Sequence, residues 1–95
     1  MPAFVILDIT INDPELMEEY KKIASPSVIA FDGTFVVRGG QTISLEGDWN
    51  PKRMVILQFP TMERAQEWYY SDAYTEAKAI REKAAITKMI MLEGV

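Results

Sequence analysis

Ala3-Phe4-Val5-Ile6-Leu7-Asp8-Ile9-Thr10-Ile11, followed at once by Asn12-Asp13-Pro14-Glu15, sets the terms for the rest of the chain. The odd positions Ala3, Val5, Leu7, Ile9 and Ile11 are all apolar, whereas the even ones mix Phe4 and Ile6 with Asp8 and Thr10. Side chains alternate across a strand, so the pattern predicts a strand with one face fit to receive helices and another fit for a partly dry surface. A helix start follows. Asp13 can accept from free N–H groups, Pro14 suits the first helical position, and Glu15 favours the positive end of the helix dipole.

Beyond it, Leu16, Tyr20, Ile23 and Ala24 recur at helical spacing, and Ser25-Pro26 is expected to break this helix ahead of a short segment carrying Val28 and Ile29. Asp32-Gly33 is the turn out. Thr34 to Arg38 has strand composition, and Gly39-Gly40 is expected to kink one long strand that runs on to Glu46. Gly47 to Lys52 then forms a hairpin loop, and Arg53 to Phe59 returns as a strand ended by Pro60. Thr61 and Ser71 are N-caps for two helices. In the first, Ala65, Trp68 and Tyr69 share a face; in the second, Ala73, Ala77, Ile80 and Ala84 form a stripe of small residues suited to close approach to a sheet. Thr87 to Glu93 is the last strand.

This order predicts one α+β domain over residues 1–95, a ferredoxin-like βαββαβ unit with a four-stranded antiparallel sheet and its helices on one face. The other face is left uncovered. Phe4, Ile6, Met54, Ile56, Met89 and Met91 occupy both strand parities, so neither face suits water. A homodimer packed sheet to sheet is expected, with residual volume between the sheets forming a pocket in each protomer.

Composition narrows the chemistry. The chain has no cysteine and no histidine, which excludes disulfides, thiolate nucleophiles, imidazole bases and Cys- or His-ligated metals within it. No cofactor and no metal site is expected. Ten basic against fourteen acidic residues give a net charge of −4, which argues against nucleic acid and anionic membranes as partners. Asp8 interrupts the only apolar run near the N-terminus and no basic leader precedes it, so a cytoplasmic location is expected.

Several spaced blocks carry a resemblance: Arg38-Gly39-Gly40, Leu45-Glu46-Gly47-Asp48-Trp49, Arg53-Met54-Val55-Ile56-Leu57-Gln58-Phe59-Pro60, and Trp68-Tyr69-Tyr70-Ser71-Asp72-Ala73-Tyr74 with Arg81. Over essentially its whole length the chain resembles the family called domain of unknown function 1330. The resemblance implies the dimeric α/β-barrel superfamily, whose ferredoxin-like protomers pair through their sheets. Relatives in that superfamily include cofactor-free monooxygenases, muconolactone isomerases and dehydratases. Several use a pocket histidine, which this chain lacks.

With histidine and cysteine absent, chemistry falls to arginine, carboxylate and tyrosine. Arg38 lies in an otherwise apolar strand; its guanidinium is either an anion anchor in the pocket or a partner of Glu46, Asp8 or Glu93. Glu46 and Arg53 flank the 47–52 loop and would face one another in a simple hairpin, as an ion pair or as a general base tuned by arginine. Asp8 is the alternative base. Trp49 in its loop is a lid over the pocket or a dimer anchor, and Tyr74 and Tyr20 are core residues able to present hydroxyls to a cavity. Three readings follow. The first is a homodimeric protein binding a small anionic or carbonyl-containing organic molecule through Arg38, Arg53, Trp49, Tyr74 and Tyr20. The second is a cofactor-free isomerase or monooxygenase-like enzyme with Glu46 or Asp8 as base, and the third is a structural or regulatory dimer.

Overall fold

The first strand, β1 (Ala3–Ile11), is paired along both edges, and the rest of the architecture is arranged around it. The computed structural model describes residues Met1–Val95. After β1 come α1 (Pro14–Ala30), β2 (Thr34–Arg38), β3 (Arg53–Phe59), α2 (Met62–Tyr69), α3 (Asp72–Ala84) and β4 (Ala85–Glu93). The four strands form one sheet in the order β2-β3-β1-β4, with every pairing antiparallel. This is the ferredoxin-like α+β arrangement that the element order predicts.

Alternation along β1 divides the sheet as expected. Ala3, Val5, Leu7 and Ile9 are at most 2% exposed and face the helices, together with Val55, Leu57 and Phe59 of β3. On the opposite face Ile6 stands between Ile56 and Ile90, and Phe4 lies beside Leu92. No helix covers that face, and Ile86, Ile90 and Leu92 are exposed on it. No helix is long and apolar enough to cross a membrane.

The helix caps are where the residue types place them. Asp13 accepts from the Leu16 N–H at 3.1 Å, Thr61 from Arg64 at 3.1 Å, and Ser71 from Tyr74 at 3.2 Å. Three local expectations are corrected. The first helix does not break at Pro26 but continues to Ala30. Proline costs it one hydrogen bond, yet Tyr20, Ala24, Ser27 and Val28 are buried along one side, and Ser27 Oγ donates to the Ala24 carbonyl at 2.6 Å just ahead of the ring. Tertiary packing outweighs the local defect.

The second correction concerns residues 39–46, which do not extend β2. Gly39 adopts φ +73° and turns the chain out of the sheet. Its N–H still bonds the Met54 carbonyl at 2.8 Å, but β3 begins at Arg53, so residues 41–46 have no strand beside them. They run exposed, with Ile43 and Leu45 open to solvent.

The stripe on α3 is also turned from its expected position. Its buried residues are Tyr74, Ala77, Arg81 and Ala84, while Ala73 is exposed. Its main neighbour is α1 rather than the sheet. Small residues at Ala77 and Ala24 suit close packing of these two helices. Ala77→Leu is therefore expected to lower unfolding stability by about 1–3 kcal/mol in urea denaturation, through overpacking. Glu76→Leu, on the exposed side of the same helix, should change it by no more than about 0.5 kcal/mol.

Candidate functional site

Because α1 packs chiefly on α3, it stands off the sheet and leaves a cavity beneath it. The cavity lies on the helix side of the sheet, inside one protomer, a different place from the space between two sheets expected from the strand pattern. Leu7, Ile9, Val55 and Leu57 form its floor, α1 its roof, and Phe35 and Trp68 close it laterally. Its polar groups are mainly cationic: Arg38, Arg53 and Lys21, with Tyr20 and Ser25. The volume is about 40 Å³, room for a few waters.

Arg38 reaches this face through an irregularity in β2. Phe35 pairs with Leu57 and Arg38 with Val55, with a register shift between Phe35 and Val37. In a regular strand, residues three apart point to opposite faces; one extra residue restores them to the same one. The bulge therefore brings Arg38 over Phe35, with its guanidinium 4.2 Å from the ring centroid, and lets it donate to Ser25 Oγ at 2.8 Å. It makes no ion pair with Glu46, Asp8 or Glu93.

Arg53 stands opposite Ile9, also on the helix face. Its guanidinium packs against Gly39, where a Cβ would come within 2.8 Å of Cζ and closer still to Nη1. Glycine at 39 thus serves both the left-handed backbone and the seat of Arg53. The expected pairing of Arg53 with Glu46 does not form, because residue 46 lies outside any hairpin ladder. Instead Arg53 Nε is buried without a hydrogen-bond partner.

Asp8 and Trp49 lie on the opposite face. There the Trp49 indole N–H donates to Asp8 Oδ2 at 3.1 Å, tethering the 39–52 segment to the sheet. Glu46 lines an exposed hollow with Trp49 and Met54. The two carboxylates considered as bases are therefore separated from Arg38 and Arg53 by the sheet itself. No acidic cluster forms that could hold a metal ion.

Tyr20 and Tyr74 do meet. Their hydroxyls are 2.9 Å apart, both side chains are buried, and the rings contact edge to face. Tyr20 lines the cavity, while Tyr74 stands behind it against Trp68, at a centroid distance of 4.1 Å. Trp68 donates to Ser27 Oγ at 3.1 Å, so it serves both core and cavity wall. Beside the hydroxyls lies a group that the pattern reading passed over as a site residue. Arg81 is 7% exposed, has no carboxylate partner, and its Nε is buried and unpaired. Its signal was present, since it falls on the same helical face as Ala77 and Ala84. Lys21, Ser25 and Phe35 carried no such signal.

Burial pushes the Tyr20 hydroxyl well above the ordinary tyrosine value; Tyr74 adds to the rise and Arg81 opposes it. In the unfolded chain a tyrosine ionises near pH ~10. Above that pH the unfolded state loses a proton that the folded state keeps, so stability falls as pH rises. Wild type is expected to lose up to about 1.4 kcal/mol per pH unit above pH ~10 from this group. Tyr20→Phe should show a correspondingly shallower alkaline loss in urea denaturation.

Comparison with solved structures identifies the same fold elsewhere. RPA0582, a protein of unknown function from Rhodopseudomonas palustris, superposes with a TM-score of 0.77 at 20% identity, over 99% of this chain and 82% of its own. SnoaB, a cofactor-independent oxygenase from Streptomyces nogalater, gives 0.67 at 13% identity, covering 99% and 92%. A dimeric protein of ferredoxin-like fold and unknown function from Bacteroides fragilis gives 0.63 at 11% identity, covering 98% and 96%. At these identities the likeness is one of fold. No curated protein matches the chain. The model for the domain of unknown function DUF1330 matches residues 2–95, nearly the full length, and the chain belongs to that family.

Proposed function

We propose that this protein is a homodimeric binder of a small anionic or carbonyl-containing organic molecule, held in the cavity under α1 with Arg38 and Arg53 as anchors. One observation carries the reading: two arginines border an apolar cavity and neither has a carboxylate partner. Arg53 is half-buried with its Nε unpaired, a costly state beside low-dielectric walls, and Arg38 stands exposed at the rim; a planar guanidinium matches the two oxygens of a carboxylate or an enolate. Leu7, Ile9, Val55 and Phe35 would take the apolar part of the ligand. Ligand pockets run to about 300–1,000 Å³, so entry requires the long side chains of Lys21 and Arg38 to swing aside.

Asp8 and Glu46 have no place in this site. A base acting with Arg38 would need to lie within hydrogen-bond reach of the same substrate, and both carboxylates belong to the other face. Trp49, tied to Asp8, is assigned to the subunit interface. Tyr20 belongs to the cavity wall, and Tyr74 supports it.

The dimer reading rests on the open face. The protomer exposes 6172 Å², against about 5,500 Å² for a compact monomer of its mass, and the row Ile56-Ile6-Ile90 is part of the excess. The Bacteroides fragilis protein of this fold is described as dimeric. Light scattering at micromolar concentration should return twice the chain mass, and Ile90→Glu should halve it; a wild-type monomer would refute the interface.

For the cavity, a thermal-shift screen of small organic acids should raise the melting temperature of wild type. Arg38→Ala and Arg53→Ala should each weaken binding of the active acids about tenfold or more, as expected for a charge-assisted hydrogen bond. Absence of any shift across the acids would favour a purely structural dimer.

A further inference from the structure

The Tyr20, Tyr74 and Arg81 cluster holds more hydrogen-bond donors than its two hydroxyl oxygens receive. Two hydroxyls bonded to one another use one of their two protons; the other has no partner in the protein. Arg81 cannot take it, because a guanidinium only donates. Its own Nε–H is likewise buried and unpaired, and no carboxylate neutralises its charge. Buried donors without acceptors are rare in folded proteins, since each costs about 1–3 kcal/mol. Tyr74 is fully enclosed, whereas Tyr20 also forms part of the cavity wall.

We infer that Tyr74 donates to Tyr20, that Tyr20 donates into the cavity, and that this hydroxyl, backed by Arg81, receives a second oxygen of the ligand. The inference rests on the reading of the cavity as an organic-anion site and specifies the ligand class: a carboxylate for Arg38 and Arg53 at one pole, and a carbonyl, enolate or phenolate oxygen for Tyr20 at the other. Burial keeps the Tyr20 hydroxyl protonated at every physiological pH, so it remains a donor. Arg81 plays a positioning and electrostatic part: its charge favours an oxygen that carries negative charge. An apolar acid fills the same walls but leaves the Tyr20 donor unpaired, which makes the second oxygen a determinant of specificity.

The test uses two pairs of acids that differ only in a ketone and its distance from the carboxylate: propanoate with 2-oxopropanoate, and pentanoate with 4-oxopentanoate. Affinities are measured by calorimetry or by NMR titration of the intact protein. In at least one pair the oxo acid should bind wild type about fivefold or more tightly than its parent. Tyr20→Phe should remove that preference, and Arg81→Gln should reduce it. Both variants are checked for native circular dichroism, and Tyr74→Phe, which keeps the Tyr20 hydroxyl but frees its orientation, should give an intermediate preference. Arg38→Ala should weaken both members of a pair together. If wild type binds both members of each pair equally, or if Tyr20→Phe keeps the preference, the inference is overturned and the anion site stands. If neither pair binds at all, the anion site itself is refuted and the inference with it.

Discussion

Strand β1 is hydrogen-bonded to β3 on one side and to β4 on the other, so it cannot slip by a residue without breaking two ladders at once. A slip would send Ala3, Val5, Leu7 and Ile9 to the open face and Asp8 into the core. That double constraint holds the two faces apart, and everything functional in the molecule is sorted by it. The helix side carries the core, the cavity, the arginines and the tyrosine pair. The open side carries Asp8, Trp49 and a row of isoleucines that no helix covers.

On the helix side the distribution of charge is lopsided. Arg38, Arg53 and Arg81 surround the space between α1, α3 and the sheet, while the ion pairs of the protein involve Lys21 with Glu18 and Arg64 with Asp32 and Glu67 at exposed positions. Exposed pairs of that kind contribute little to stability. A fold selected only for stability gains nothing from leaving the buried Nε groups of Arg53 and Arg81 unpaired against its own core. Arg38 is held by a neutral serine hydroxyl and an aromatic face, which orient it and leave its charge uncompensated.

Most of the fold was legible because it depends on period and punctuation. Alternation in Ala3–Ile11, the caps at Asp13, Thr61 and Ser71, and the order of elements sufficed for a ferredoxin-like sheet. The failures were of another kind. Pro26 is tolerated because packing around Tyr20 and Val28 outweighs one missing hydrogen bond, a tertiary effect that no local pattern displays. Residues 41–46 alternate like a strand but have nothing to pair with. The face reached by Arg38 was undecidable, since the bulge that reverses its parity leaves no periodic trace, and Gly39 hinted at irregularity without locating it. Asp8 and Glu46 looked like bases because carboxylates were the only candidates; sequence order carried no information that the sheet would stand between them and the arginines. Arg81 falls on the small-residue face of α3, where helical period marks its burial but not the two hydroxyls that α1 and α3 bring beside it.

Two tryptophans are present in the chain, and the sheet stands between them. Trp68 is enclosed, packed against the tilted ring of Tyr74 and part of the cavity wall; Trp49 is 58% exposed on the far face with its indole N–H on Asp8. Their emission should differ accordingly, blue and tyrosine-fed for Trp68, red and open to quenchers for Trp49. The protein thus contains two native optical probes with separate jurisdictions, one inside the fold beside the cavity and the other on the open face of the sheet.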